Sequence, residues 1–331
     1  MDLSIVTSMY HSASHLEEFY DRIRNAALRI TDDFEIIFVN DGSPDNSLEI
    51  AVSLHEADPK VKIVDLSRNF GHHRAILIGL AHAKGDLVLL IDCDLEVPPE
   101  VLLPLHEELI RSGADTTYGV QEGRKGGLFE RVSGKLFYQL FNKLSFYPVP
   151  PSPAGVRLMK RPFLESLLRH RERTVFLAGL CAITGYRQVP VVVEKTHKGH
   201  STYTLARKID LFVTAISSFS EKPLIFIFYL GLFISFLSGG AACYLIVRRV
   251  LFQEYLIGWP SLIVSIWLLG GLSIFCLGII GIYLAKIFVE TKNRPYAIVR
   301  TFYERSEHVG EERDTGIESR IDQVRVTTHE K

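Results

Sequence analysis

The stretch LVLLIDCDLE, residues 87–96, decides the fold of this chain. Its apolar first half predicts a strand buried on both faces, as in a parallel sheet, and Val97-Pro98-Pro99 ends it. Asp92, Asp94 and Glu96 would then lie at the carboxyl end of the strand, where open α/β sheets bind ligands. Clustered carboxylates repel one another, so we expect a hard divalent ion that carries a nucleotide diphosphate. A solvated turn after a core strand is the alternative, and the motif alone leaves both open.

Strands and helices alternate up to this stretch. The sequence predicts strands at Leu3–Thr7, Phe34–Asn40, Val61–Leu66 and Asp86–Ile91, and helices at His15–Leu28, Leu48–Leu54 and Arg74–Ala83. This alternation predicts an α/β fold with a mostly parallel sheet and helices on both faces. No Gly-x-Gly-x-x-Gly motif follows the first strand, which argues against a dinucleotide-binding oxidoreductase.

Two apolar runs lie in the last third of the chain, at about 224–247 and 260–288. Each exceeds the roughly 20 residues that are needed to cross a bilayer. Lys222 precedes the first run, and Lys286 and Lys292 flank the end of the second. This pattern predicts a transmembrane hairpin with both chain ends in the cytoplasm, although two arginines in the connecting loop count against it. A signal peptide is not expected, because the chain opens directly into a strand.

Three domains are therefore expected. Residues 1–222 would form a cytoplasmic α/β domain, 223–289 the two transmembrane helices, and 290–331 a cytoplasmic segment that is disordered after about 304. A basic amphipathic stretch at about 128–146 predicts a helix that lies at the membrane surface, although periodicity alone fits an ordinary surface helix equally well. A second surface helix is expected at about 203–219, leading into the first apolar run.

Bulk composition narrows the function classes. The net charge of −1 gives no basic field for nucleic acid, so no nucleic-acid partner is expected. The four cysteines have no paired spacing, which indicates neither a disulfide framework nor a zinc site.

Several short motifs occur in a characteristic order, although each is weak alone. They are Val39–Ser43, Ser67–Gly71, Asp92–Glu100, Arg157–Met159, Gly199–Tyr203, Ser218–Leu224 and Arg294–Tyr296. Together with the two apolar runs, this order resembles the GT-A fold glycosyltransferases of family 2. Within them it is similar to the polyprenyl-phosphate sugar transferases, which include dolichol-phosphate mannose synthase and bacterial undecaprenyl-phosphate glucosyltransferases. The resemblance runs from about Leu3 to about Thr301.

The resemblance implies an inverting transfer of a sugar from a nucleotide sugar, UDP-linked as in bacterial members, to a polyprenyl phosphate. It implies Mg²⁺ or Mn²⁺ as cofactor, an inner-membrane location and a possible tetramer. The residues that it implies for the donor are Tyr10, Asp41, Arg68 and Asp92; for the metal, Asp92, Asp94 and Glu96; and for the acceptor phosphate, Arg124, Arg131, Arg157 and His200. Of these, Asp94, Arg124 and Arg157 are expected to be catalytic. By themselves, Asp41 fits a turn, Tyr10 a core position and Arg68 an ordinary surface.

Some positions depart from the family's pattern. Ser8 and Ser12 replace a proline and an acidic residue after the first strand, and Glu96 replaces a glutamine of the metal motif. Gln121 replaces an arginine, which leaves Arg124 to do its work. Gly155 stands where relatives often have an aspartate.

Gly155 leaves open how the acceptor is activated. Either no general base is needed, since a lipid phosphate is already an anion, or another carboxylate such as Glu122 acts. Two other functions stay open: transfer to another lipid or glycan, and a catalytically weak nucleotide-sugar-binding membrane partner. A processive synthase is less favoured, because a Gln-x-x-Arg-Trp element and further spans are missing.

Overall fold

The computed structural model describes residues 1–121, 153–170, 172, 175–194, 213, 217, 220–252 and 258–305. The strands are β1 Leu3–Met9, β2 Phe34–Asn40, β3 Val61–Leu66, β4 Leu87–Leu90, β5 Thr116–Gln121, β6 Pro153–Lys160, β7 Gln188–Val193 and β8 Val299–Tyr303. The helices are α1 Leu16–Leu28, α2 Ser47–Ala57, α3 His72–His82, α4 Leu102–Ser112, α5 Arg161–Leu168, α6 Leu177–Ile183, α7 Lys222–Phe252 and α8 Trp259–Thr291. A short 3₁₀ turn, Pro99–Val101, precedes α4.

The strands form one sheet in the order β7-β5-β6-β4-β1-β2-β3-β8. Parallel pairs join β1 to β2 and β4, β2 to β3, and β5 to β7. Antiparallel pairs join β6 to β4 and β5, and β8 to β3. The four adjacent strands β4, β1, β2 and β3 are parallel, so their carboxyl ends meet at one edge. The predicted α/β fold with a mostly parallel sheet is confirmed.

Both faces of the sheet are buried. In β1, Ile5 packs into the core on one face, with Phe19 of α1 and Leu105 of α4. Val6 packs into the core on the other face, with Leu77 of α3 and Phe163 of α5. Burial on both faces explains why the central strands are continuous apolar runs rather than alternating ones.

The prediction was closest for the central strands. The bounds of β2 and β3 agree with it, β1 extends two residues further, and β4 is shorter at both ends. Strands β5 to β8 were not predicted. Polar residues and Gly119 interrupt β5, and Gly155 and Arg157 interrupt β6, so their sequences carry neither a long apolar run nor regular alternation.

Two long helices follow the catalytic sheet and coincide with the two apolar runs. Within the residues that the structure describes, the segment Ser265–Thr291 is long and apolar enough to cross a membrane, and none of its side chains is buried. Within α7, the apolar stretch Lys222–Ser238 is shorter. The hairpin with two spans therefore stays a prediction.

The chain then returns to the catalytic sheet. Strand β8 pairs antiparallel with β3, Ile63 opposite Tyr303 and Val64 opposite Phe302. The expected separate segment 290–331 thus contributes an edge strand to the sheet that residues 1–222 begin. The surface helix 128–146, nearly all of 203–219 and the tail after residue 305 lie outside the described residues.

Candidate active site

Four loops meet at the carboxyl edge of the parallel strands. They begin with Tyr10 after β1, Asp41 after β2, Ser67 after β3 and Ile91 after β4. Because the strand order is β4-β1-β2-β3, these loops lie side by side in that order. This edge is where open α/β sheets bind ligands.

Asp41 fastens two of these loops together. Its carboxylate is 2% exposed and accepts hydrogen bonds from the backbone N–H groups of Phe70 (2.7 Å) and Gly71 (3.0 Å). Burial raises the pKa of Asp41, although the two N–H groups partly offset that effect. Gly42 is required beside it, because a Cβ there would lie 2.5 Å from the backbone nitrogen of Asn69 and its φ is +61°. Asp41 therefore holds the loop at residues 67–71, which we call the β3 loop, against the end of β2.

Tyr10 and Arg68 project from this edge. Tyr10 is 48% exposed and packs edge-on against the ring of His11, with the ring centroids 4.6 Å apart. The positive φ of His11 is supported by a hydrogen bond from its N–H to Ser43 Oγ. Arg68 is exposed, and its guanidinium lies over the ring of Phe70, 4.2 Å from the centroid. The structure thus offers an aromatic face and a cation on either side of Asp41.

Among the acidic residues after β4 lies a buried cysteine, Cys93. Cys93 is 2% exposed and its thiol donates to Ser8 O, and burial raises the pKa of the thiol to about 11. Asp92, Asp94 and Glu96 are half-buried. Asp94 Oδ1 accepts the N–H of Glu96 at 2.9 Å, in a turn where Leu95 has a φ of +59°. The buried thiol fixes the loop and leaves the carboxylates partly accessible.

His72 is a residue of this site that the sequence analysis missed. It is the first residue of α3, with Nδ1 2.9 Å from Ser8 Oγ and Nε2 3.5 Å from Asp92 Oδ1. Burial lowers the pKa of the imidazole, against the opposing charges of Asp41 and Asp94. The feature of the sequence that could have pointed to His72 is its position directly after the motif Ser67–Gly71.

Gly155 lies on the other side of Asp92. A Cβ at this position would stand 2.5 Å from Asp92 Oδ2, so a larger residue and the present position of that carboxylate exclude each other. Asp92 thus occupies the space that a side chain at position 155 would need.

Of the cations predicted for the acceptor phosphate, Arg157 lies within the described residues. It lies opposite Leu90 in the β4–β6 pair and is 9% exposed. Its guanidinium donates to Gln188 Oε1 at 2.6 Å and stacks over the ring of Tyr118. These contacts direct it towards β5 and β7. Arg124, Arg131 and His200, and also Glu122, lie outside the described residues, so the acceptor site stays a prediction.

The carboxylates fit one kind of metal site. Within the described part of the chain, no three residues of the types His, Cys, Asp and Glu are grouped as a protein cage for a metal. Mg²⁺ and Mn²⁺ bound to a nucleotide do not need such a cage, since one or two carboxylates and the substrate phosphates suffice. Asp92 and Asp94, half-buried on one loop, fit this arrangement.

Comparison with known proteins identifies the family. Residues 4–168 match the model of the family described as Glycosyl transferase family 2. A protein of Mycobacterium tuberculosis (strain CDC 1551 / Oshkosh) that is named as a glycosyltransferase is 52% identical over 92% of this chain and 89% of its own length. The uncharacterised glycosyltransferase YkcC of Bacillus subtilis is 35% identical over 91% of this chain and 94% of its own. The bactoprenol glucosyl transferase of Shigella phage SfII is 33% identical over 91% and 98%.

A solved structure is similar at greater distance. The mannosyltransferase PcManGT of Pyrobaculum calidifontis, in complex with GDP-Man and Mn²⁺, has a TM-score of 0.48 and 18% identity over 88% of this chain and 87% of that one. This likeness is too distant to carry over ligands.

The class of protein follows from the sheet, its acidic edge and these relatives: the chain is a glycosyltransferase with a GT-A fold. More particularly, it belongs to glycosyl transferase family 2. The resemblance inferred from the motifs is confirmed, and relatives named bactoprenol glucosyl transferase are among the matches.

Proposed function

We propose that this enzyme transfers a sugar from a nucleotide sugar, UDP-linked by resemblance, to a polyprenyl phosphate at the cytoplasmic face of the inner membrane. The carboxylates of Asp92 and Asp94 at the carboxyl end of β4 are the observation that carries the proposal. The bactoprenol glucosyl transferase, which this chain covers over 98% of its length, supports a lipid carrier as acceptor.

The donor site is assigned to the loops after β1, β2 and β3. Tyr10 provides an exposed ring on which a nucleobase can pack, and Arg68 provides a cation for the diphosphate. Asp41 shapes the donor site through the β3 loop, since both of its oxygens already accept N–H groups of that loop. Its contribution to nucleotide binding is thus largely through that loop.

The metal site is assigned to Asp92 and Asp94, with Glu96 as a further oxygen donor. When bound there, Mg²⁺ or Mn²⁺ supplies Lewis-acid neutralisation of the diphosphate as negative charge develops on it, an effect worth several kcal/mol. His72 lies beside Oδ1 of Asp92 and helps to orient its carboxylate, and Gly155 leaves room for Oδ2.

The acceptor is an anion and attacks through its own phosphate oxygen. A direct displacement by that oxygen inverts the anomeric carbon and transfers no proton, which agrees with a glycine at position 155. Arg124, Arg131, Arg157 and His200 are proposed to hold the phosphate, because guanidinium groups match its geometry. For Arg157, the nitrogens that do not bond Gln188 would serve.

The membrane part brings this site to its lipid substrate. We propose that α7 and α8 both span the membrane, with the catalytic domain and both termini in the cytoplasm. The surface helices at 128–146 and 203–219 and a homo-oligomer, a tetramer by resemblance, belong to the same proposal.

The test is a transfer assay. Membranes that contain the enzyme are incubated with radiolabelled nucleotide sugars and undecaprenyl phosphate, with and without EDTA, beside the variant Asp94→Asn. We expect a labelled lipid that EDTA abolishes and that Asp94→Asn, inserted at the parent level, does not form. If no common donor labels the lipid, the function is wrong; nucleotide binding without transfer would then favour a binding partner. Full activity of Asp94→Asn would remove the metal assignment.

A further inference from the structure

The chain returns from the second apolar helix directly to the donor side of the sheet. Between α8 and β8, Tyr296 Oη donates to His170 O, and Ala297 is buried in the core beside α3. Ile298 O then accepts the N–H of Ser67, the first residue of the β3 loop, at 2.9 Å. The segment that leaves the membrane helix therefore touches the β3 loop before it becomes a strand.

Arg300 makes the second contact with this loop. One guanidinium nitrogen donates to Ser67 O at 2.7 Å, and another lies 3.5 Å from Asp65 Oδ2. Asp65 is 2% exposed, and its other oxygen accepts the side-chain N–H of Asn40 at 2.7 Å. Both N–H and C=O of Ser67 are thus held by the β8 segment, and Asp65 links Arg300 to the residue before Asp41.

The backbone geometry suits this contact. The β3–β8 register shifts between Asp65 and Leu66: Asp65 pairs with Thr301 and Leu66 with Val299, so Arg300 is the extra residue of β8 opposite the end of β3. A bulge beside an active site can re-aim a side chain. Here the side chain is that of Arg300, which reaches Ser67 at the start of the β3 loop.

The far end of β8 is anchored independently. Glu304 lies 2.6 Å from Lys62 Nζ and 2.5 Å from Lys84 Nζ, and Lys62 also lies 2.6 Å from the fully buried Glu35. Two carboxylates and two ammonium groups balance in this cluster. These ion pairs fix the carboxyl end of β8. Arg300 therefore contacts the β3 loop from a strand that is itself held in place.

We propose that Arg300 is a positioning residue of the donor site, which sets the β3 loop from the segment that follows the second apolar helix. This inference rests on the proposed function, because it takes the β3 loop as part of the nucleotide-sugar site. Arg300 itself touches no substrate in this account. Its removal loosens the loop, so nucleotide binding weakens while the chemical step is left nearly unchanged.

The experiment uses the full chain in detergent. Arg300→Gln removes both the charge and the guanidinium group that contacts Ser67 and Asp65 together. Arg300→Lys keeps the charge alone, and Arg305→Gln is the control. Arg305 contacts Glu56 O at the other end of β8, away from the loop. Two quantities are measured for each protein: hydrogen exchange of the peptide that contains Phe70 and Gly71, and KM and kcat with the nucleotide sugar.

We expect about two- to fivefold faster exchange and a similar rise in KM for Arg300→Gln, as suits a half-exposed ion pair with one hydrogen bond. We expect kcat close to the parent, a partial return for Arg300→Lys, and parent behaviour for Arg305→Gln. Unchanged exchange in Arg300→Gln, or an equal increase in Arg305→Gln, overturns the proposal. A failure of the proposed function is distinguishable, because the parent itself would then lack transfer while the exchange comparison still stands.

Discussion

At the scale of single residues, the surroundings of Asp92 decide how the site works. Gly155 leaves room for Oδ2 of this carboxylate, because a Cβ at that position would stand 2.5 Å from it. His72 Nε2 lies 3.5 Å from Oδ1 of the same carboxylate. A change at either residue therefore tests the orientation of Asp92 without altering a carboxylate.

Replacing Gly155 by alanine tests the first contact. The new Cβ would stand 2.5 Å from Asp92 Oδ2, so the carboxylate must move. A displacement of about 1 Å at such a site costs roughly 100-fold in rate, and we expect a 10- to 100-fold loss of transfer. The measurements are the rate of lipid labelling and the thermal unfolding temperature.

Gly119→Ala is the matched control. A Cβ at this position of β5 would meet Val156 Cγ1 at 2.6 Å, so the crowding is similar but Asp92 is not involved. We expect a comparable loss of stability, about 1–3 kcal/mol, with transfer near the parent level once the protein is folded. Equal loss of transfer in both variants would show that crowding, not Asp92, is responsible.

Replacing His72 by alanine tests the second contact. The variant loses the partners of both Ser8 and Asp92, so Asp92 is less well oriented towards the metal. Loss of such a supporting contact typically costs 10- to 100-fold in metal affinity or activity, and we expect about tenfold. The measurement is the Mg²⁺ or Mn²⁺ concentration needed for half-maximal transfer.

The neighbouring histidine provides the comparison for His72. His73 lies in the same helical turn but contacts Val175 O at 3.2 Å, away from the carboxylates. We expect His73→Ala to leave the metal requirement unchanged, and Ser8→Ala to raise it less than His72→Ala does. A metal requirement in His72→Ala equal to that of the parent would exclude a positioning role.

At the scale of elements, β8 depends on charge pairs at its base. Burial would raise the pKa of Glu304, but hydrogen bonds from Lys62 and Lys84 and their charges outweigh it, so the pKa is lowered. A carboxylate with a lowered pKa in the folded state stabilises that state at neutral pH. This contribution is present above the ordinary glutamate pKa of about 4.3 and is lost as the pH falls through the lowered pKa.

Glu304→Gln is therefore expected to lower the free energy of unfolding by about 1–2 kcal/mol at pH 7. The difference from the parent should shrink once the pH falls below about 4. Urea unfolding of the full chain in detergent, followed by circular dichroism at several pH values, measures it. Glu107→Gln, at an exposed position of α4, is the control. If the difference in the free energy of unfolding between Glu304→Gln and the parent does not change with pH, the charge of the Glu304 carboxylate is not its cause.

The elements also show what could be predicted from the sequence. Strands β2 and β3 are buried on both faces, so their apolar runs predict them with the observed bounds. The carboxylates after β4 were predicted because strand end and motif coincide. Strand β8 was not predicted, because VRTFY has no apolar run and its partner β3 lies more than 200 residues earlier. His72 was missed because its partners Ser8 and Asp92 are distant in sequence.

At the scale of the whole molecule, strand β8 constrains the membrane topology. The described chain leaves the sheet after β7, which ends at Val193, and re-enters the same sheet at Val299. Both points therefore lie on one side of any membrane, and the segment between them crosses it an even number of times. If Ser265–Thr291 spans the bilayer, as its length and hydropathy allow, then a second span is needed, and the long helix α7 is the one that we expect to supply it.

Cysteine labelling in intact cells tests this topology. In a variant whose four cysteines are replaced by serine, a single cysteine at Glu254, between the two apolar runs, is expected to react with a membrane-impermeant maleimide from outside. A single cysteine at Lys292, just after α8, is expected to react only after the membrane is opened. Pairing of β8 with β3 requires both ends of the membrane segment to lie on one side. If neither position reacts in intact cells, α7 and α8 therefore lie on the cytoplasmic surface of the membrane without crossing it. Labelling of Lys292 but not Glu254 from outside would place the catalytic sheet outside and contradict a cytoplasmic donor site.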